Sequence, residues 1–298
     1  MRIEQSVLQR LKNKSKSNKI SFQLTLQLFC QEEFLRRLSF SEYREKLILK
    51  GGLFIFSYTE FFGRPTMDID FLGKDLSNNS DDIFEVISRI FSIKTENDYI
   101  NFKILRIENI TEIKEYHGLR IKVIAKVANT KTPFDIDIGL GDVVIPDIQD
   151  MKYATQLKEF DSPMIRTYSL ESTIAEKLEA ICDRLEMTSR LKDYYDIYYL
   201  SLSFDFDGKV LLDAVISTFE NRYSLVNQDV LNELVKINEN QIIKRRWQTF
   251  SKKSLNISMS FDEIFHIFIN FIEPILTAII NDENYDKKWS CKLTRYIE

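Results

Sequence analysis

The sequence is poor in the residues that build metal-stapled or disulfide-linked folds. It has three cysteines and two histidines in 298 residues, and none of them is spaced like a zinc ligand pair. We therefore expect no structural zinc site. An odd number of distant cysteines favours a reducing, cytoplasmic compartment. Only 8 glycines and 5 prolines argue against low-complexity linkers.

Long apolar runs and an excess of positive charge are also missing. The N-terminus lacks the apolar segment of a signal peptide, and no apolar run approaches membrane-spanning length, so we expect no membrane partner. The formal net charge is −4, so any nucleic-acid contact must come from local patches. Basic runs at 12–19, 244–246 and 252–253 are candidates, although each alone is more simply a solvated surface.

The apolar residues that are present, 44% of the chain, are enough for a sizeable core and for two packed lobes. Helical periodicity predicts helices at 3–38, 83–91, 170–185, 193–200, 211–219, 226–237 and 261–280. Alternating or β-rich segments predict strands at 67–71, 102–107, 119–125 and 134–138. Residues 46–62 fit a helix after a glycine pair, or a strand leading into one. We predict an α+β fold with a mixed or antiparallel sheet core and N-terminal helices in residues 1–160, followed by a C-terminal helical lobe in residues 161–298.

Two carboxylates one residue apart, Asp68 and Asp70, lie in the first alternating segment. Residues two apart on a strand point the same way, so these like charges need a cation between them or exposure to water. Mg²⁺ binds carboxylate oxygens together with substrate phosphates, as phosphoryl and nucleotidyl transfer require. Alone, such a pair is also compatible with an ordinary acidic strand face.

A second acidic pair, Asp135 and Asp137, alternates in a later strand. One of them, facing Asp68 and Asp70 from a neighbouring strand, would complete a set of three metal ligands. The alternation does not choose between Asp135 and Asp137.

The residues ahead of Asp68 suit a phosphate. Gly51 and Gly52 allow close approach of the backbone, and helix N-terminal amides bind phosphate oxygens. Arg64 could bind a phosphate or neutralise the acidic residues, and Thr66 adds a hydroxyl. A plain turn at the glycines is the simpler alternative.

A third group of polar residues lies on the helices after residue 160. Lys177 and Arg184 border the apolar stripe of one helix, whereas Glu176 and Asp183 should point to solvent. Asp193 lies on the apolar face of the next helix and must be paired or functional, and pairing with Arg184 or Lys177 is a serious alternative to function. Lys192 and Asp196 could form a simple surface ion pair.

In this order, the motifs resemble those of the AbiEii/AbiGii toxin family, which includes the MenT-like toxins. They comprise the glycine pair, the Arg64-x-Thr66-x-Asp68-Ile-Asp70 run, Asp137-Ile-Gly-Leu-Gly-Asp142, Ala175-Glu-Lys-Leu178, and Arg190-x-Lys192-Asp193-x-x-Asp196. The resemblance covers roughly residues 45–200. Each motif alone is weak, but in order and at sensible spacing they form three groups, at 51–70, 137–142 and 175–196, that together are fairly specific.

The resemblance implies a nucleotidyltransferase-type mixed sheet of the DNA polymerase β superfamily, with Mg²⁺ as cofactor, at two metal sites, and an NTP as substrate. By motif, Asp68, Asp70 and Asp137 would bind the metal, and Gly51 and Gly52 would form the phosphate loop. Lys177 with Asp193 or Asp196 would be the later functional residues, and the expected nucleotide-binding residues are Gly51, Gly52, Arg64, Thr66, Lys177 and Arg184. Gly52 stands where many such enzymes have serine, so backbone amides or Thr66 would have to compensate.

The leading hypothesis is therefore a cytoplasmic toxin of a bacterial toxin–antitoxin or abortive phage infection system. It would transfer NMP from an NTP to an RNA acceptor, with the 3′ end of tRNA as the favoured acceptor, and the resemblance implies a cognate antitoxin. One rival is transfer to a small molecule or a protein side chain. The other is a catalytically silent nucleotide-binding module.

Overall fold

The structure, a computed structural model, describes residues 3–60, 64–111, 117–185, 190–255 and 257–298. The chain forms two compact units. The first consists of Met1–Asp142 and Ile148–Tyr168, and the second of Val143–Asp147 and Ser169–Glu298. The chain passes between the units after Asp142, Asp147 and Tyr168. The sequence-based domain boundary after residue 160 stays a prediction.

The first unit is built on a seven-stranded sheet with strand order β3-β4-β5-β2-β1-β7-β6. Its strands are β1 (Leu47–Lys50), β2 (Ile69–Gly73), β3 (Ile100–Thr111), β4 (His117–Val127), β5 (Thr130–Leu140), β6 (Gln149–Lys152) and β7 (Met164–Thr167). Its helices are α1 (Ile3–Ser17), α2 (Phe22–Ser39), α3 (Gly51–Tyr58) and α4 (Ser80–Ser92). The β2–β5 and β1–β7 pairs are parallel and the other pairs are antiparallel, which confirms the predicted mixed sheet.

The N-terminal segment corrects one prediction, because residues 3–38 form two helices instead of one. The chain turns after α1, with Lys19 at a φ of +55°, and Ser21 caps α2 by accepting a hydrogen bond from the amide of Leu24. In residues 46–62 the glycine pair begins α3 directly after β1, so the strand-then-helix alternative was the right one. The end of the predicted range, residues 61 and 62, lies outside the described residues.

Helix α2 carries buried charges that its apolar periodicity did not reveal. Glu32, Glu33, Arg36 and Arg37, here called the α2 charge network, are each at most 4% exposed. Arg36 donates to Glu32 and Glu33 at 2.6 and 2.7 Å, and Arg37 donates to Glu33 at 2.9 Å. The two arginines also donate to main-chain carbonyls of Phe91, Ile100 and Asp161. The network therefore ties α2 to the end of α4, the start of β3 and the segment before β7.

The second unit is mostly helical. Its helices are α5 (Leu170–Arg184), α6 (Leu191–Ser203), α7 (Gly208–Asn221), α8 (Gln228–Lys236), α9 (Gln241–Phe250) and α10 (Phe261–Ile280), and its short strands are β8 (Phe206–Asp207), β9 (Lys288–Ser290) and β10 (Arg295–Ile297). Together with the first unit, they confirm the predicted α+β class.

Helix α10 corrects the expectation that no apolar run approaches membrane-spanning length. Its 20 residues are long and apolar enough to cross a membrane by length and composition. Its apolar side chains, however, are largely buried within the unit; Phe268, Phe271 and Ile272 are fully buried. Such burial is typical of the central helix of a packed helical unit.

Candidate active site

The parallel pairing of β2 and β5 brings the two acidic motifs together. Asp70 lies directly beside Asp137, and the flanking pair Ile69 and Ile136 is fully buried on the opposite face. Because side chains alternate along a strand, the carboxylates share the face that the isoleucines leave. Asp68 immediately precedes β2 and continues the same alternation.

The four carboxylates of Asp68, Asp70, Asp135 and Asp137, here called the carboxylate cluster, interact electrostatically. The pKa of Asp68 is raised, first by partial burial and then by the charges of Asp70, Asp135 and Asp137. The nearby Arg120 guanidinium only partly offsets this rise in pKa. Partial burial and the like charges of its neighbours thus both disfavour the ionised form of Asp68.

Two cations from β4 approach the cluster from one side. Arg120 lies opposite Asp137 in the antiparallel β4–β5 pair and donates to both its carboxylate oxygens, with an Nε–Oδ1 distance of 2.8 Å. Lys122 lies opposite Asp135 and donates to it. The hydrogen bonds to Asp137 raise the pKa of Arg120. Asp135 and Asp137 therefore each have a cation partner on the neighbouring strand.

The glycine pair is fitted closely to the acidic motif. Gly51 has a φ of +70°, and a Cβ there would lie 2.2 Å from Oδ2 of Asp70. Both the backbone conformation and the space exclude larger residues at this position. A Cβ on Gly52 would lie 3.0 Å from the hydroxyl oxygen of Thr66 and 3.6 Å from Nη2 of Arg64. Thr66 thus holds a hydroxyl beside the position where related motifs have serine.

An ion pair that the sequence did not indicate connects the strands around this site. Lys50, directly before the glycines and opposite Asp70 in the β1–β2 pair, donates to Asp142. Asp142 is only 3% exposed, and the Lys50 ammonium lies 5.3 Å from the centre of the Tyr168 ring. The pair spans β2 and fixes the end of β5 relative to β1.

In the second unit, Lys177 on α5 holds both candidate carboxylates of α6. Its ammonium lies 2.9 Å from Oδ1 of Asp193 and 2.7 Å from Oδ2 of Asp196, and both aspartates are buried. Pairing of Asp193 with Lys177, one of the alternatives left by the sequence, is thus present. The predicted surface ion pair between Lys192 and Asp196 was wrong, because the Asp196 side chain is buried and pairs with Lys177.

The environment of Glu176 also differs from the expectation. Its side chain is 17% exposed and pairs with Arg222 at 3.1 Å, so it is not directed to open solvent. Asp183 is exposed, as expected, and Arg184 is half-buried. A nucleotide-binding role of Arg184 stays a prediction.

The carboxylate cluster offers the type of ligand atom that Mg²⁺ prefers in proteins, namely carboxylate oxygens. The pKa of Asp68 is raised first by partial burial and then by like-charge repulsion, and a divalent cation would relieve the repulsion. Within the described ranges, however, no three acidic, histidine or cysteine side chains converge as a metal-binding group. Both oxygens of Asp137 accept from Arg120 instead. Asp68 and Asp70 therefore fit a metal ion best, and the third ligand stays a prediction.

Sequence reasoning missed the basic partners of the cluster, Arg120 and Lys122. Their alternation with the buried Leu119, Ile121 and Val123 was visible. The register that sets Arg120 against Asp137 depends on the β4–β5 pairing, which alternation alone does not specify.

Two solved structures share this architecture. MenT4, a nucleotidyltransferase toxin from Mycobacterium tuberculosis H37Rv, is 13% identical over 86% of this chain and 84% of its own, with a TM-score of 0.53. A candidate nucleotidyltransferase from H. pylori is 15% identical over 89% of this chain and 100% of its own, with a TM-score of 0.50. At these identities the likeness establishes the fold. None of the curated proteins matches the chain.

A match to the family described as nucleotidyl transferase AbiEii toxin, type IV toxin–antitoxin system, covers residues 33–267. This range includes the glycine pair, the carboxylate cluster and the Lys177 ion pairs. The chain belongs to the AbiEii family of nucleotidyltransferase toxins.

Proposed function

We propose that this chain is a Mg²⁺-dependent cytoplasmic toxin of a toxin–antitoxin or abortive infection system that transfers NMP from an NTP to RNA, with the 3′ end of tRNA as the favoured acceptor. The observation that carries the proposal is the pairing of Asp70 with Asp137 beside Gly51, whose positive φ and close fit against Asp70 favour glycine. The toxin family implies an NTP substrate and a cognate antitoxin, which would keep the enzyme from harming its host.

In the proposed reaction, an acceptor hydroxyl attacks the α-phosphate of the NTP. A new P–O bond forms, the bond from the α-phosphorus to the oxygen that bridges it to the β-phosphate breaks, pyrophosphate leaves, and the hydroxyl proton is released to solvent. Bound Mg²⁺ would activate the hydroxyl and stabilise the charge on the leaving group. Asp68 and Asp70 would hold the metal, with Asp137 as the third ligand.

The glycine pair and its neighbours would bind the triphosphate. At Gly51 and Gly52 the backbone can approach phosphate oxygens without a Cβ in the way. Arg64 and Thr66, which lie against Gly52, would contribute a guanidinium and a hydroxyl. In this arrangement Thr66 would replace the serine that is missing at position 52.

We further propose that Lys177, together with Asp193 and Asp196, takes part in the reaction. Lys177→Arg keeps the charge that the two buried aspartates need but changes the shape of the donor. We expect this variant to melt near the wild-type temperature and to lose most transfer activity. Parallel losses of thermal stability and activity would instead assign Lys177 a structural role only.

The acceptor is identified by incubating the protein with each α-labelled NTP and a nuclease-treated or untreated cell extract, then separating RNA, protein and small molecules. We expect Mg²⁺-dependent label in the RNA fraction, concentrated in tRNA. Label in protein or small molecules would support the rival acceptors. Absence of both labelling and Mg²⁺-dependent NTP binding would support a silent module.

A further inference from the structure

One face of the three-stranded segment β3–β4–β5 is open to solvent and rich in basic side chains. The opposite face of its central strand is buried, with Ile121, Val123 and Ala125 at most 1% exposed. The side chains that alternate with them on β4 point outward. Lysines and arginines of all three strands share this outer face, namely Lys103, Arg106, Arg120, Lys122, Lys126 and Lys131. We call it the lysine face.

The strand register places these residues in rows, because directly opposed residues of an antiparallel pair lie on the same side of the sheet. Lys126 lies opposite Lys131 on β5, and Lys122 lies opposite Arg106 on β3. Like charges in direct opposition are unfavourable in a sheet. Lys122 and Arg106 each have a carboxylate partner, so the repulsion that an anionic ligand would relieve is that between Lys126 and Lys131.

Three carboxylates also lie on this face, and each has its own cation. Asp137 is held by Arg120 and Asp135 by Lys122. The third carboxylate, Glu108, pairs with Arg106 at 2.7 Å. These pairs neutralise half of the six cations.

The remaining cations are Lys103, Lys126 and Lys131. All three are exposed, and within the described parts of the chain none of them forms an ion pair. The lysine face therefore has an excess of three positive charges, although the whole chain is negatively charged.

The lysine face is continuous with the carboxylate cluster. Lys131, Asp135 and Asp137 lie on the same face of β5, and six residues of strand correspond to about 20 Å. A nucleic-acid backbone whose phosphates contact these lysines would thus extend towards the proposed site of transfer. Lysine ammonium groups bind phosphates as point charges without reading sequence, which suits a nucleic-acid backbone.

We propose that the lysine face binds the phosphate backbone of the acceptor RNA next to the end that is modified. This inference rests on the proposed function and adds the surface by which the acceptor is held. The contacts are electrostatic, so affinity should fall steeply with salt concentration.

The test compares two triple variants that remove equal charge. Lys103→Gln, Lys126→Gln and Lys131→Gln are combined in the first, and Lys94→Gln, Lys152→Gln and Lys158→Gln, which lie outside the basic runs of the sequence, in the control. All six lysines are exposed. The binding of fluorescent bulk bacterial tRNA is measured by anisotropy over a range of salt concentrations, together with the binding of Mg²⁺·NTP.

For the first triple variant we expect tRNA affinity to fall about 10-fold or more. The slope of log affinity against log salt concentration should become shallower by about 2, since three phosphate contacts are lost. The control should bind tRNA like the wild type, and NTP binding should be unchanged in both. If the first triple variant melts below the wild type, the same salt slopes are measured on the three single variants.

Equal tRNA binding by the first variant and the wild type would overturn the inference, as would equal losses in the two variants. If the wild type transfers NMP to RNA, either result leaves the proposed function intact. A wild type that binds Mg²⁺·NTP but no tRNA would overturn both the lysine face and the RNA acceptor. A wild type that binds tRNA through the lysine face but no Mg²⁺·NTP would contradict the proposed enzyme alone.

Discussion

The α2 charge network and the carboxylate cluster lie in the same unit and differ in charge balance and exposure. The network has two glutamates and two arginines, all buried and mutually hydrogen-bonded. The cluster groups four aspartates, of which Asp137 and Asp135 pair with basic residues of β4, and its Asp68 is exposed. Buried charges stabilise a fold only when they are paired, whereas like charges grouped at an accessible strand end suit a cationic ligand. The comparison suggests which charges serve structure and which serve chemistry.

The largest expected effect is on activity at the cluster. Asp70→Asn removes a proposed metal ligand, and we expect transfer to fall by about 10³-fold or more, as for the loss of a dominant electrostatic contribution to catalysis. Expression of the variant in bacteria should then no longer arrest growth. A variant that remains fully toxic would contradict the assignment of Asp70.

The same variant should leave the fold intact. Asp70 contributes to the raised pKa of Asp68. A carboxyl group whose pKa is raised in the folded state lowers stability once pH exceeds its unfolded pKa. Asp70→Asn removes one of the charges that raise the pKa of Asp68. Its thermal melting temperature near neutral pH should therefore be at or above the wild-type value.

The next largest effect is expected on stability at the α2 charge network. Glu33 accepts hydrogen bonds from Thr95 and Asn97 at 2.6 and 2.9 Å, besides those from the two arginines. Glu33→Gln leaves Arg36 and Arg37 with less negative charge, and we expect a loss of about 3–5 kcal/mol in the free energy of unfolding. Urea denaturation measures this loss.

A matched control lies on α4, where Glu85 and Arg89 have the same four-residue spacing but are exposed. Glu85→Gln should be nearly indistinguishable from the wild type, because exposed ion pairs contribute little. Similar losses for Glu33→Gln and Glu85→Gln would contradict the contrast between buried and exposed charge.

The third prediction compares alanine substitutions at two glycines, and it distinguishes the cost of backbone strain from the cost of contact with Asp70. Gly51 and Gly141 both have positive φ values, +70° and +90°, but only Gly51 has a neighbour within 4 Å of the added Cβ position. Alanine at either position should cost about 1–2 kcal/mol in strain. Only Gly51→Ala should also displace Asp70 and reduce transfer beyond its loss of stability. Similar activity of the two variants would show that the fit between Gly51 and Asp70 is unimportant.

The smallest effect concerns the pH dependence of the α2 charge network. Burial raises the pKa of Glu32 from 4.5 to about 7, with Arg36 partly opposing the rise. Between these values the folded state retains a proton that the unfolded state releases, so this group lowers stability as pH rises from 4.5 to about 7. Denaturation at several pH values should show this decline in the wild type and a weaker one in Glu32→Gln. Identical profiles would contradict the raised pKa of Glu32.

The sequence predicted the mixed sheet and the strands of the acidic motifs because their signals are local. Alternation around Asp68, Asp70 and Asp137 defines strands, and the glycine pair marks the start of α3. The α2 charge network was not predictable, because the burial of Glu33 depends on loops that are distant in the chain. The Lys50–Asp142 pair likewise depends on strand order, which periodicity does not contain.

The central claim is that the carboxylate cluster transfers a nucleotide to RNA, and the most direct measurement is a stoichiometric transfer assay. Purified protein, α-labelled NTP and tRNA are combined with Mg²⁺ or with a chelator, and label in RNA is counted against released pyrophosphate. The account predicts equal amounts of both products, only with Mg²⁺, and none above background for Asp70→Asn. Undiminished transfer in the chelator or in Asp70→Asn, or no label in RNA with any of the four NTPs, would contradict it.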